Sequence, residues 1–195
     1  MDKLLSALRA FTPCNPQEAC DQRRLIEALQ TRPHVFTRQD EEMHMTASAW
    51  LVNPARTHAL MAWHNVYRSW SWLGGHADGD TNLLRVALRE AREESGLETV
   101  TPVTENIFSV EILTVEGHEK RGAYVGSHLH LNVTYLLEAD DRQPLCIRPE
   151  ENSGVQWFPL EEAVAASTEP WFRERIYAKL NQKLRSFPGV PDSNH

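Results

Sequence analysis

Residues 74–97 read GGHADGDTNLLRVALREAREESGL, and this stretch decides the fold. Its first part combines glycines with short polar residues, which is typical of a loop. Its second part has the apolar period of a helix and ends at Gly96, a residue type that favours the position just after a helix. We therefore predict a glycine-rich loop that leads directly into an amphipathic helix.

The predicted helix sorts its side chains into three sectors. At about 100° per residue, small and aliphatic side chains form one stripe and arginines form another. Glu90, Glu93 and Glu94 form a third, acidic sector. Like charges four residues apart destabilise a bare helix by roughly 0.2–0.5 kcal/mol, whereas a hard divalent cation is bound by such oxygens. A solvated helix face is the simpler alternative for these residues taken alone.

The glycines ahead of the helix favour a functional site over a solvated face. Gly74 and Gly75 allow backbone to approach a phosphate closely, and free N–H groups at the start of a helix attract anions. A phosphate-binding loop and a carboxylate cluster would then share one loop–helix unit.

This stretch resembles the signature of the Nudix hydrolase family. The signature is a glycine, five residues, a glutamate, seven residues, and then Arg-Glu-aliphatic-x-Glu-Glu-x-Gly-aliphatic. Gly75 fits the first glycine, and residues 89–97 fit the second half, with Ala91 as a small substitute for the aliphatic residue. Thr81 stands where the signature has glutamate. The resemblance extends over about residues 43–166.

The resemblance implies an α+β fold, an α/β/α sandwich with a mixed β-sheet between helical layers. The order of predicted elements agrees, because helices are followed by mixed strands, one helix, more strands and further helices. We divide the chain into a helical extension (1–40), a Nudix hydrolase domain (41–187) and a flexible tail (188–195). Residues 116–127 are predicted to be a loop between two strands.

The resemblance also implies an activity and its cofactor. Nudix hydrolases cleave the diphosphate linkage of a nucleoside diphosphate joined to another group, so the expected partner is a small-molecule diphosphate. Glu90, Glu93 and Glu94 would coordinate Mg²⁺ or Mn²⁺, and Arg89 would hold a carboxylate, with Glu93 as the first choice. Asp80 follows a glycine and is a further candidate ligand, shorter than the missing glutamate.

The general base varies within this family, and several carboxylates remain open for it here. Glu93 and Glu94 are candidates on the helix, and Glu150 and Glu151 are candidates on a later loop.

Thr81 is predicted to cap the helix through its hydroxyl.

Candidate substrate contacts lie before the helix and on a later strand. Trp72 shares a strand face with Trp70 and could stack on a base. Residues 128–134 alternate polar and apolar side chains, so their polar face either lines a pocket or is solvated. His128 and His130 without a third ligand are weak evidence for a metal. The predicted substrate-binding residues are Gly74, Gly75, His76, Trp72 and His128.

Charge and cysteine content narrow the function classes. With 20 basic and 27 acidic residues the net charge is −7, which argues against a nucleic-acid polymer or an anionic membrane as partner. Three widely spaced cysteines predict reduced thiols and a cytoplasmic protein. We expect no secretory signal and no membrane span. The oligomeric state stays open, with a homodimer as one alternative.

Two other functions compete with hydrolysis on the same fold. The first is a catalytically weak module that binds a nucleotide or phosphorylated metabolite, suggested by Thr81. The second is an isopentenyl diphosphate isomerase. That family uses a cysteine at the reacting carbon, and the central strands here contain none.

Overall fold

The computed structural model describes residues 1–120 and 122–187; the predicted flexible tail, 188–195, lies outside them. The helices are α1 (Asp2–Ala10), α2 (Pro16–Thr31), α3 (Leu83–Ser95), α4 (Leu160–Ala166) and α5 (Ala178–Arg185), with a π-helical segment, Phe172–Tyr177, directly before α5. The strands are β1 (Met43–Val52), β2 (His58–His64), β3 (Ser69–Ser71), β4 (Leu73–His76), β5 (Thr101–Pro102), β6 (Ser109–Val115), β7 (His118–Lys120), β8 (Ala123–Val125), β9 (His128–Glu138) and β10 (Asn152–Pro159). Among the described helices, none has the length and apolar character needed to cross a membrane.

The first of two compact units contains residues 1–48, 74–87 and 104–135. Within it, β6 pairs antiparallel with β9, from Ser109 opposite Thr134 to Val115 opposite His128. Strand β4 pairs with β1. Helix α2 packs on β6, where the Ser109 hydroxyl donates a hydrogen bond to Glu18 Oε1 at 2.6 Å. Helix α2 is therefore tied to the sheet by a buried polar contact.

Among the described residues, the second unit contains 49–73, 88–103 and 136–187. Strand β2 pairs antiparallel with β1, with β3 and with β10. The hairpin predicted for β1 and β2 is thus confirmed. The C-terminal helical layer packs through Tyr177, whose ring stacks on the buried Trp50 with centroids 5.6 Å apart.

Two predictions of local structure are wrong, and one of two open alternatives is excluded for part of a strand. The stretch predicted as a loop contains the antiparallel hairpin β7–β8. Trp70 and Trp72 do not share a strand face, because β3 ends at Ser71 and β4 begins at Leu73. The sequence leaves the polar face of β9 open between lining a pocket and being solvated, and its Asn132 and Thr134 are buried in a hydrogen-bonded network, so that part of the face is not solvated. Each error concerns tertiary pairing, which local sequence patterns do not report.

Gly74 is required for close packing of β4 on β1. A Cβ atom there would lie 2.5 Å from Ser48 Oγ, 2.6 Å from the Ala47 carbonyl oxygen and 2.8 Å from Ser48 Cα. Two of these are backbone atoms, which cannot rotate away.

We expect Gly74→Ala to lower the free energy of unfolding by about 2–3 kcal/mol, the upper part of the range for overpacking. Urea denaturation monitored by circular dichroism measures this. The matched control is Gly126→Ala, since a Cβ at that position meets nothing within 4 Å. Equal effects of the two substitutions would contradict the close-packing argument.

Candidate active site

Helix α3 begins with a cap one residue later than predicted. The Asn82 side-chain oxygen accepts a hydrogen bond from the backbone N–H of Arg85 at 3.1 Å, which satisfies one of the free donors of the first turn. Thr81 is exposed and precedes this capping residue. The prediction that Thr81 caps the helix is therefore wrong.

Asp80 links the loop to the first turn of α3. Its carboxylate accepts hydrogen bonds from Arg85 Nε and Nη2, both at 2.7 Å, and from the backbone N–H of Asn82 at 2.8 Å. This bidentate pairing gives Asp80 a structural role at the start of the helix. Its role as a metal ligand remains a prediction.

The acidic sector of α3 contains ion pairs that differ from the expected one. Arg89 Nη2 lies 2.7 Å from Glu90 Oε1, whereas Glu93 was the expected partner of Arg89. The cation described beside Glu93 is Arg148, whose Nη1 lies 2.7 Å from Glu93 Oε2. Glu94 follows on the same helix and is buried, with 8% of its surface exposed. Two different arginines therefore hold two of the predicted ligands.

The loop that supplies Arg148 docks on the C-terminal end of α3. The backbone N–H of Cys146 donates to the Ser95 carbonyl at 2.8 Å, and Asn152 Nδ2 donates to the Glu94 carbonyl at 2.9 Å. Gly96 makes the turn with φ of +73°, and a Cβ there would lie 2.6 Å from the Cβ of Cys146. Carbonyls that a helix end leaves unsatisfied thus anchor this loop.

This docking gathers a carboxylate cluster, which we define as Glu90, Glu93, Glu94 and Glu151 together with Arg148. Arg148 Nη1 lies 3.6 Å from Glu151 Oε2 as well as beside Glu93. Hydrogen bonding to Glu93, and then the charge of Glu151, raise the pKa of the guanidinium. The cluster therefore joins residues of the helix and the loop around the guanidinium of Arg148.

Glu90 is a half-buried carboxylate with other acidic side chains nearby. Burial raises the pKa of Glu90 above its ordinary value of 4.5, and the hydrogen bond and charge of Arg89 oppose that rise. The negative charges of Glu93 and Glu151 raise the pKa further. Half-buried carboxylates in mutual repulsion are stabilised by a bound cation.

The donor set fits the hard divalent cation that the sequence predicts. All of its acidic members offer carboxylate oxygens, which Mg²⁺ and Mn²⁺ prefer over nitrogen or sulfur. Glu90, Glu93 and Glu94 are the residues that would hold such an ion.

Comparison with known proteins gives the family. The model of the NUDIX domain matches residues 42–180. This chain is a Nudix protein. It is 32% identical over 95 residues to mouse (Mus musculus) bis(5'-nucleosyl)-tetraphosphatase [asymmetrical], and the alignment covers 48% of this chain and 58% of the mouse protein.

Solved structures show the same fold. A Caenorhabditis elegans Ap4A hydrolase binary complex has a TM-score of 0.50 at 17% identity, covering 73% of this chain and 96% of that one. A MutT protein from Methanosarcina mazei Go1 has a TM-score of 0.51 at 18% identity, covering 71% and 93%. The predicted Nudix-type α+β fold with a mixed sheet is confirmed.

Within the Nudix signature, the two glycines take a position different from the predicted loop. Gly74 and Gly75 lie in strand β4, and the irregular segment that follows begins at Ala77. Gly74 serves the packing of β4 on β1 described above. Phosphate binding by these glycines remains a prediction.

Trp72, predicted to stack on a substrate base, is part of the core. It is 8% exposed and makes edge-to-face contacts with Phe172 and Tyr177, whose centroids lie 6.2 and 5.7 Å away. Its backbone N–H also donates to the Tyr177 hydroxyl at 3.3 Å. These contacts give the ring a packing role in the core in place of the predicted stacking on a substrate base.

The remaining predicted contacts, His76 and His128, belong to a group of four histidines in the first unit. We call His44, His76, His128 and His130 the histidine cluster, and the ligand atoms of its members all lie within 4.8 Å of one another. Burial, followed by the charge of its histidine neighbours, lowers the pKa of His130 to about 2. Burial also lowers the pKa of His44. Sequence reasoning missed His44, which no motif marks.

Proposed function

We propose that this Nudix protein hydrolyses the diphosphate linkage of a nucleotide joined to another group, with Mg²⁺ or Mn²⁺ as cofactor. The observation that carries the proposal is the carboxylate cluster, in which the signature helix and a docked loop bring acidic side chains together. The mouse relative supports a dinucleoside polyphosphate as the substrate class. A bound divalent ion would neutralise the phosphate oxygens and make an attacking water more acidic.

The chain's own residues have distinct roles in this proposal. Glu90, Glu93 and Glu94 hold the cation, and Arg89 orients Glu90 through their ion pair. Arg148 fixes the relative positions of Glu93 and Glu151. Glu151 is the candidate to accept the proton of the attacking water, because Arg148 Nη1 holds its carboxylate beside that of Glu93.

The test is a panel of nucleotide diphosphate derivatives, including dinucleoside tetraphosphates, with and without Mg²⁺. Metal-dependent release of nucleotide or phosphate from at least one compound supports the proposal. Thermal stabilisation by a nucleotide without any turnover would instead identify the binding module suggested by Thr81.

The choice between the two loop carboxylates gives a sharper prediction. We expect Glu151→Gln to lower kcat by about 10²- to 10⁴-fold, the usual contribution of a general base. Glu150→Gln is the matched control, since Glu150 is exposed and no described hydrogen bond or ion pair within residues 1–120 and 122–187 involves its side chain. Steady-state kinetics at saturating Mg²⁺ measures both variants. A loss confined to Glu150→Gln would transfer the base to that residue.

A further inference from the structure

We propose that the histidine cluster binds one divalent transition-metal ion of the Zn²⁺ class, at a site separate in residues and in chemistry from the carboxylate cluster. Its members come from three strands of the first unit. His44 is near the start of β1, His76 ends β4, and His128 and His130 begin β9. Strand β4 pairs with β1 and strand β9 neighbours β1, which brings the four rings together.

The strongest observation concerns His44. This residue is 5% exposed, and its buried Nε2 atom has no hydrogen-bond partner among the described residues. Its other ring nitrogen, Nδ1, lies 3.0 Å from the Asp40 carbonyl oxygen. A carbonyl only accepts, so Nδ1 carries the proton and Nε2 presents a lone pair. A buried lone pair without a donor costs free energy, and a metal ion would satisfy it.

His128 repeats the same arrangement. Its Nδ1 lies 2.8 Å from the Gly126 carbonyl oxygen, which leaves a lone pair on Nε2 as well. That Nε2 lies 3.1 Å from Nε2 of His130. Metal-binding histidines typically donate the N–H that faces away from the metal to a carbonyl or carboxylate, which fixes the ring and its tautomer. Two of the four rings in this cluster are already held in that way.

The distances suit a four-coordinate ion. Zn–N bonds of about 2.0–2.1 Å in a tetrahedron place the ligand nitrogens roughly 3.4 Å apart. The His128–His130 pair, at 3.1 Å, is close to that separation, and ligand atoms throughout the cluster lie within 4.8 Å of one another. Side-chain rotation that closes the widest pair by roughly 1.4 Å would complete the site.

The surrounding charges are compatible with a cation. Arg38 is a positive group whose charge acts on His44 and His130. It is paired with Asp78 through two hydrogen bonds of 2.8 Å, which offsets its charge. The carboxylate of Asp40, whose charge acts on His44, is paired with Arg32 at 2.7 Å.

The choice of ion follows from the donor set. Four neutral imidazoles suit Zn²⁺, Co²⁺, Ni²⁺ or Cu²⁺, whereas Mg²⁺ and Mn²⁺ prefer carboxylate oxygens. Closed sites with four protein ligands are typically structural. The bound ion would therefore pin the ends of β1, β4 and β9 to one another and raise the stability of this unit.

The experiment uses the full chain without a polyhistidine tag. Bound metal is first removed with a chelator, and excess Mg²⁺ is then kept in the buffer to occupy the carboxylate cluster. Titration with Zn²⁺ is expected to show about one equivalent with Kd below about 1 μM and a rise in Tm. Co²⁺ is expected to give the visible bands of a tetrahedral nitrogen site. Absence of binding below about 100 μM, or a thiolate-to-cobalt charge-transfer band from the exposed cysteines, would overturn the proposal.

Variants assign the ligands. His44→Gln and His130→Gln are each expected to weaken Zn²⁺ binding at least about a hundredfold, since even outer-shell changes cost 10- to 100-fold. His34→Gln is the matched control, because His34 is exposed and lies outside the cluster. Zinc K-edge absorption on the unmodified protein counts imidazole ligands and needs no variant to fold. Fewer than three imidazoles, or unchanged affinity in folded variants, would refute the assignment.

Discussion

Replacing Glu94 with glutamine is expected to remove nearly all of the proposed diphosphate-hydrolysing activity while leaving the fold intact. Glutamine has nearly the same size as glutamate but lacks the negative charge that attracts a divalent cation. Loss of an outer-shell partner already costs 10- to 100-fold in metal affinity or activity. Loss of a direct ligand should therefore cost at least about a hundredfold in kcat/KM.

The fold of this variant should survive for a structural reason. The Glu94 contact that anchors the loop uses its main-chain carbonyl, which accepts from Asn152 Nδ2, and the substitution does not alter that atom. Kinetics with a responsive substrate, Mg²⁺ titration and thermal unfolding together separate a ligand from a packing residue. Unchanged affinity for Mg²⁺ in a folded Glu94→Gln protein would remove Glu94 from the site.

The matched control is Glu98→Gln. Glu98 is exposed, lies just beyond the end of α3 and carries the same charge. The two substitutions change net charge equally, so any general electrostatic effect on substrate approach appears in both. A similar loss in both variants would point to long-range charge and away from coordination.

The parts of the fold that follow local rules are predictable from the sequence. Helix α3 shows the 3.6-residue period, and β1 and β2 show strand formers bounded by a turn. The acidic residues of the signature are recognisable because their spacing on one helix needs no tertiary information. The family resemblance that this helix carries also predicts the fold of the rest of the domain, and family membership is confirmed over residues 42–180.

The parts that depend on tertiary pairing are not predictable in this way. Arg148 reaches Glu93 because a loop docks on the carbonyls of a helix end, and no sequence period encodes that docking. The sequence pattern puts Trp72 on one strand with Trp70 and makes its ring available to a ligand. In the structure a break separates β3 from β4 between these two residues, and the place of that break depends on how each strand pairs. The charge of a side chain is visible in the sequence, but its partner is not.

The histidine cluster shows the same limit. His128 and His130 are visible as an i, i+2 pair on a predicted strand, but two ligands do not define a site. The other two members come from β1 and β4, which meet β9 only through the order of strands in the sheet. A histidine near the end of each of three strands is a usable signal once that order is known.

Asn132→Asp, which replaces an amide NH2 with an oxygen, is expected to destabilise the first unit strongly. Asn132 is 1% exposed, and its Oδ1 accepts hydrogen bonds from the hydroxyls of Thr46 and Ser48 at 3.0 and 2.9 Å. Its Nδ2 donates to Glu111 Oε2 and to Thr134 Oγ1, both at 3.1 Å. Every described polar contact of this side chain lies within the buried network.

Aspartate replaces the Nδ2 donor with an acceptor that faces the buried Glu111 carboxylate. The aspartate oxygen and Glu111 Oε2 then face each other with no hydrogen atom between them to form a hydrogen bond. One or two negative charges also lie in a region closed to water. Leaving buried polar groups unpaired costs about 1–3 kcal/mol each, and an uncompensated buried charge costs more. We expect the free energy of unfolding to fall by about 3 kcal/mol or more at neutral pH, measured by urea denaturation.

The dependence on pH separates this cause from simple loss of packing. A proton bound between the two carboxyl groups restores the missing hydrogen bond, so the folded variant binds that proton more tightly than the unfolded chain does. Its stability deficit relative to the unmodified protein should therefore narrow as pH falls and widen as pH rises.

Asn132→Leu removes the polar atoms without adding an acid, so its deficit should lack that narrowing. Asn106→Asp, at an exposed position, should change stability by less than about 0.5 kcal/mol. An Asn132→Asp deficit that stays constant with pH would show that the network tolerates a second carboxylate and that lost packing alone destabilises the variant.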